Sequence, residues 1–236
     1  MTDTSISTTV APQVLLINHF KTLKLPTFAH EYEKVGIECA REGIDYARYL
    51  LRLCELECID RQQRNTERRI RQAKFPVTKS LDTFDFVAIP GLNKSLVLEL
   101  MRCEWLDKRE NIIALGPSGI GKTHIALALG LAACQKGMSV LFTTAAALVH
   151  ELMEARDEKR LRTLQKHLAN VELLIIDEVS MVRCDTLDAM DTVLRHFRRK
   201  PFVPFGGVQV LFIGDLFQLP PVVPDDQWEI LKQYYE

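Results

Sequence analysis

The chain has 236 residues and a mass of 27.0 kDa, room for one or two domains at ~100–200 residues each. Hydrophobic residues make up 47% and charged residues 26%, which excludes wholesale disorder. Lys plus Arg number 30 against 31 Asp plus Glu, a net charge of −1, so no global field draws the chain onto nucleic acid or membrane, and such a partner has to be met by a local patch.

The N-terminal stretch MTDTSISTTVAPQVLLINHF carries Asp3 and no basic cluster, so it does not read as a secretory signal. Its first ten residues are Ser/Thr-rich and are expected to fray. Helical periodicity follows through residues 11–75. Val14, Ile17 and Phe20 mark a short helix ending near Pro26, and Phe28, Tyr32 and Val35 mark a second. A longer helix runs from Asp45 to Lys74 and is stopped by Phe75-Pro76. Residues 76–109 form a connector with a short helix from Ser95 to Trp105. Its Phe84 and Phe86 either line an adenine pocket or pack the connector on the core.

Beyond it, apolar runs alternate with helical stretches. The runs are Ile112–Leu115, Val140–Phe142, Leu173–Ile176 and Val208–Ile213. The helices are Thr123–Lys136, Ala145–Leu168 (broken near Asp157) and Asp185–Lys200. Continuous apolar strands separated by helices predict a parallel sheet covered on both faces. The longest apolar stretch, Ile125 to Cys134, is too short to cross a bilayer. The cysteines are Cys39, Cys54, Cys58, Cys103, Cys134 and Cys184. They form no C-x-x-C pair and no zinc spacing, so they read as reduced, buried thiols of a cytoplasmic protein, with Cys54 and Cys58 as small apolar side chains on a helix face.

Residues 112–123 read IIALGPSGIGKT: an apolar strand, a glycine loop and the start of a helix. Glycines let successive N–H groups curl toward phosphate oxygens, and the helix start adds positive potential. Lys122 can reach the β- and γ-phosphates, and Thr123 can offer its hydroxyl to Mg²⁺. Residues 173–178, LLIIDE, deliver Asp177 to hold the metal and Glu178 to orient and deprotonate water. The third strand-end, VQVLFIGDLFQLPPV, carries Gln218, which can touch a γ-phosphate and position water or be an ordinary loop residue. In RQQRNTERRIRQAK, the arginines Arg61, Arg64, Arg68 and Arg71 share one helix face, suited to duplex phosphates or to solvent. A second basic cluster, Arg195, His196, Arg198, Arg199 and Lys200, ends a helix whose acids lie early, as the dipole favours.

Two resemblances run through these residues. LKLPTFAHEYE, RIRQAKFP, KSLDTFDF, the stretch from LNKSLVLEL to CQKG and VLFTTAAALVHEL resemble the IstB-type transposition helper ATPases, relatives of the DnaC helicase loaders, over about residues 16–178. IIDEVSMVRCDTLDAMDTVLR and PFGGVQVLFIGDLFQLPPV resemble superfamily-one DNA helicases of the Pif and RecD type, over about 174–222. The chain reads as a hybrid joined at the acidic box.

The resemblance implies a three-layer α/β phosphate-loop NTPase domain with a parallel sheet over residues 110–236, truncated relative to both families. A helical, DNA-contacting region (1–75) and the connector (76–109) precede it. ATP would lie on Gly116, Pro117, Ser118, Gly119, Ile120, Gly121, Lys122, Thr123 and His124, with Mg²⁺ on Thr123 and Asp177. Lys122, Glu178 and Gln218 would serve hydrolysis in a transposition helper ATPase; the alternatives are the single motor domain of a Pif/RecD-like helicase and a nucleotide-binding remnant without turnover. The resemblance implies DNA as partner, with a transposase, a replicative helicase or further copies of the chain as protein partners. Arg183, Arg195 and Arg198 are candidates for an arginine finger. Both families place another strand beyond the phosphate-loop strand. The tail DDQWEILKQYYE reads as a helix instead, so Ile112–Leu115 is expected at or near a sheet edge.

Overall fold

The computed structural model describes residues 12–154, 158–218 and 220–235, so the N-terminal segment expected to fray lies largely outside the described residues. Two compact units form, Met1–Asn65 and Thr66–Glu236.

The first unit holds α1 (Pro12–Thr22), α2 (Pro26–Glu42) and most of α3 (Tyr46–Gln72). Pro26 opens α2 where its missing N–H costs nothing. Gly43, at φ 65°, closes it by donating its N–H to the Cys39 carbonyl. Phe28, Val35, Cys39 and Leu53 form the buried core, with Phe20, Tyr32 and Tyr49 packed on it. Glu57 of α3 is buried and serves as a carboxylate cap for α2. Its Oε2 accepts the Thr27 N–H at 3.0 Å, and Oε1 accepts from Arg61 and Arg64 at 3.1 Å each. Burial by itself pushes the Glu57 carboxyl up. The N–H and hydroxyl of Thr27 and the Arg61 guanidinium outweigh it and hold the carboxyl below its ordinary value.

The second unit is built on four parallel strands, β1 (Ile112–Leu115), β2 (Val140–Thr144), β3 (Leu173–Asp177) and β4 (Gln209–Gly214), in the order β1-β4-β3-β2. Each run of alternating side chains feeds a different face. Val140, Phe142, Leu173, Ile175, Leu211 and Ile213 pack against α6 (Lys122–Gln135) and against Trp105 and Leu106. Leu141, Leu174, Ile176 and Val210 pack against α7 (Ala145–Glu154), α8 (Glu158–Ala169) and α9 (Cys184–Phe197). This is the three-layer arrangement expected for continuous apolar strands.

The expected helix from Ser95 to Trp105 is two, α4 (Lys94–Leu100) and α5 (Glu104–Asp107), because Cys103 turns left-handed at φ 57° between them. Residues 155–157, where a break was expected, lie outside the described residues. The tail forms α10 (Asp225–Tyr235), hydrogen-bonded by Gln227 to Arg183 at 2.7 Å and by Tyr235 to Asp188.

Among the described residues β1 pairs only with β4 and is an edge of the sheet, as expected. Ile112 reaches the α6 side of the core, while Ile113 and Leu115, on the other face, are 65% and 51% exposed. The opposite edge is partly covered, since the Phe142 N–H donates to the Ala73 carbonyl at 2.8 Å. Cys39, Cys103 and Cys134 are buried as expected, but Cys54 and Cys58 are exposed, on a part of α3 whose packed face is carried by Leu53 and Glu57. Burial pushes the Cys134 thiol up to about 11, so it is protonated and inert. No helix among the described residues is long and apolar enough to cross a membrane.

Candidate nucleotide site

The C-terminal ends of β1, β3 and β4 converge on a cleft of about 370 Å³, the edge at which open α/β sheets collect ligands. Its walls include Ser118, Gly119, Gly121, Lys122, Thr123 and His124 from the loop and helix start. Asp177 and Glu178 line it from the end of β3, and Asp215 and Gln218 from the segment after β4. Gly116, Pro117 and Ile120 belong to the same loop and do not line the cleft. The loop can curl because Gly119 and Gly121 sit at φ 83° and 82°, conformations that side chains rarely adopt.

Thr123 Oγ1 donates to Asp177 Oδ2 at 3.0 Å, while Asp177 Oδ1 accepts the Glu178 N–H at 2.9 Å. Two hard oxygen donors thus meet at the mouth of the loop. That set suits Mg²⁺, which takes one or two protein oxygens and completes its shell with phosphate and water. Among the described residues no group of three or more His, Cys, Asp or Glu could hold an ion alone. Glu178 turns left-handed at φ 60°, ψ 36° immediately after β3, and such strain in a residue with a side chain gathers where chemistry fixes the backbone. Lys122 Nζ donates to the Gly116 and Pro117 carbonyls at 2.7 and 2.6 Å, folded back over its own loop.

The connector reaches the helix start. His124 Nε2 lies 2.9 Å from the Ser80 carbonyl and 3.4 Å from Thr83 Oγ1, and its ring meets Phe84 edge-on at 5.2 Å. The carbonyl can only accept, so the first bond fixes the proton on Nε2. Phe84 also packs against Phe86 and so closely over Gly121 that a Cβ there would lie 2.6 Å from Phe84 Cε2. Both rings are half-buried, and neither lines the cleft.

The remaining candidates separate. All four arginines of the α3 stripe are exposed, and Arg61 and Arg64 are in addition paired with Glu57. Arg183 grips Asp185 through two bonds of 3.0 and 2.7 Å. Arg195 pairs with Asp191 at 2.7 Å. Arg198 donates to the carbonyls of Gly206, Leu168, Ala169 and Val171, which makes it a half-buried tie between α8, α9 and the approach to β4 and removes it as a finger candidate. Asp215 was not singled out in the sequence. It is buried beside the acids of β3, accepts the Phe217 N–H at 3.0 Å and holds the turn that carries Gln218, whose N–H donates to the Asp215 carbonyl at 3.1 Å. The only sequence signal for it is its place at the end of an apolar strand, the position Asp177 also occupies.

A parallel sheet whose first strand enters a glycine loop, with a helix-start threonine bonded to the acid at the end of β3, one strand removed in the sheet, defines a phosphate-loop NTPase. A family model described as IstB-like ATP binding protein matches residues 18–195, and the chain belongs to that family. It is 33% identical over 184 residues to an ATP-binding protein of insertion sequence IS5376 from Geobacillus stearothermophilus, covering 77% of this chain and 73% of that protein. It is also 37% identical over 139 residues to the ATP-dependent DNA helicase PIF1 of Saccharomyces cerevisiae, covering 57% of this chain and 15% of the helicase. A Bacteroides Pif1 crystal structure in complex with ADP-AlF4 superposes with a TM-score of 0.48 at 32% identity, over 59% of this chain and 36% of that one. Both halves of the hybrid resemblance are borne out. The family match passes the acidic box, and 139 residues exceed the 174–222 stretch, so the two likenesses overlap rather than abut.

Proposed function

We propose that this protein is a Mg²⁺-dependent ATPase that acts with DNA as the helper of an insertion sequence. The observation that carries the reading is the 3.0 Å bond from Thr123 to Asp177, which ties the last loop residue to the acid beside Glu178. Mg²⁺, held by Thr123 and Asp177, would supply charge neutralisation on the β- and γ-phosphate oxygens. The loop N–H groups from Ser118 to Thr123 cradle the phosphates. Lys122 exchanges the Gly116 and Pro117 carbonyls for phosphate oxygens, and in the transition state it stabilises the charge that spreads over them. Glu178 accepts a proton from the attacking water, and Gln218 orients that water from the opposite wall. Phe84, which meets the His124 ring edge-on, packs over Gly121 and supports the curled loop from outside the cleft.

DNA contact falls first to Arg68 and Arg71, the members of the α3 stripe that Glu57 does not engage, with Arg61 and Arg64 contributing the charge that Glu57 leaves over. Arg183 and Arg195 are paired within the chain, so turnover is slow unless a neighbouring copy supplies an arginine, a contribution worth ~10³–10⁵ in rate. A transposase is the partner that the insertion-sequence relatives favour, and the reduced thiols favour the cytoplasm. A second reading, the ATPase module of a helicase, is favoured by the position of Gln218 in the cleft and the PIF1 likeness. ATPase rate measured against protein concentration, with and without duplex DNA, separates them. A helper gives a specific rate that rises with concentration and duplex. A helicase module is stimulated by single strands and separates a forked duplex. A concentration-independent absence of turnover contradicts both.

A further inference from the structure

The second basic cluster is not absorbed by the nucleotide site. Arg195 and Arg198 are consumed in holding the chain together, but the turn they hold, residues 199–204, presents a different set of groups outward. Phe202 is 93% exposed, the most exposed large apolar side chain among the described residues, and Arg199, Lys200 and His196 around it are exposed too. Among the described residues no side-chain hydrogen bond or ion pair neutralises Arg199 or Lys200. The turn is rigid. Pro201 and Pro204 flank Phe202, Arg195 donates to the Pro201 carbonyl at 3.1 Å, the Lys200 N–H donates to the Arg195 carbonyl at 3.0 Å, and Asp191 accepts the Phe205 N–H. The acids nearby are already engaged: Asp191 by Arg195, and Glu172 by the Ser139 N–H and the Arg198 charge. Lys166, in the last turn of α8, adds a cation on the side that Arg198 ties to this turn.

We propose that this turn is a contact for single-stranded DNA, with Phe202 as a stacking platform for one base and Arg199 and Lys200 on the flanking phosphates. An exposed aromatic ring on a turn that also carries two exposed cations is what sequence-tolerant strand binding needs, since every base offers a π-face. The contact lies at the N-terminal end of β4, at the opposite end of that strand from Asp215 and the cleft, so strand and nucleotide bind without competing. It goes beyond the duplex contact assigned to α3 and uses none of the same residues.

The test is fluorescence anisotropy of a labelled single-stranded oligonucleotide and of a duplex, with the full chain and the variants F202A, R199A/K200A and R68A/R71A. Phe202 is 93% exposed, so F202A is expected to keep the fold, which circular dichroism checks. The expected result is a roughly tenfold loss of single-strand affinity in F202A with duplex affinity unchanged. In R199A/K200A the slope of log affinity against log salt falls by about 1.4, the two phosphate contacts at ~0.7 each. R68A/R71A weakens duplex binding and leaves the single strand alone, so a failure of the α3 reading is distinguishable from a failure here. Unchanged single-strand affinity in F202A, or no single-strand binding by the parent chain, overturns the proposal. So does equal loss on duplex and single strand.

Discussion

At the scale of single residues, the site rests on side chains whose partners can be removed one at a time. Gly121 combines φ 82° with the Phe84 ring lying where a Cβ would stand. Gly121→Ala is expected to cost about 1–2 kcal/mol in backbone strain alone, with a further loss as Phe84 is pushed off. Thermal unfolding reads the first effect, and the affinity for inorganic tripolyphosphate, which reports the loop alone, reads the second. Glu178→Gln leaves an isosteric acceptor but no base, so hydrolysis is expected to fall by 10²–10⁴ while ATP binding is retained, as single-turnover kinetics beside equilibrium binding will show. The local motif made the loop, Asp177 and Glu178 legible in the sequence, because strand, glycine loop and helix start are consecutive. Asp215 and the Phe84–Gly121 contact were not legible. Asp215 meets the acids after β3 only through the sheet order, and Phe84 meets Gly121 only because the connector folds back on the helix start; no local pattern encodes either meeting.

At the scale of elements, the strands were readable to within two residues at their ends because continuous apolar runs leave few alternatives, and the edge position of β1 followed from the helical reading of the tail. What the pattern could not show is which face of β1 stays bare. Ile113 and Leu115 lie on the face away from α6, and an exposed apolar edge strand invites pairing. Ile113→Lys is expected to lower concentration-dependent association, measured by sedimentation, while changing stability by no more than about 0.5 kcal/mol, as suits an exposed position. In the basic helix, the sequence shows charge but not its partner. The reason is Glu57, which turns Arg61 and Arg64 inward to a cap on α2. Glu57→Ala removes hydrogen bonds to a charged acceptor and is expected to destabilise the first unit by roughly 2–3 kcal/mol.

At the scale of the whole molecule, the two units carry different acid sensitivities. His167, in the second unit, is held below its ordinary 6.5 by burial first and by Lys74 next, against the pull of Glu151. A depressed histidine contributes stability that is present above 6.5 and lost as pH falls through its lowered value, because the unfolded chain takes up the proton first. Glu57, in the first unit, is depressed below 4.5, so its contribution persists until the pH falls below that range. Acidification from neutrality is therefore expected to weaken the second unit before the first. Hydrogen exchange at pH 7.5, 5.5 and 4 checks this: protection should fall first in the sheet strands and only later in α2. Loss of α2 protection at pH 5.5 with the sheet intact would reverse the order.

The central claim is that the loop after β1 grips a triphosphate with Lys122 as its mobile cation. Calorimetric titration of Mg·ATP into the parent chain and into Lys122→Ala measures it most directly. The expected result is saturable binding by the parent and a roughly 10- to 100-fold weaker affinity in the variant, the worth of a charged hydrogen bond to phosphate. Equal affinities in the two proteins would contradict the account.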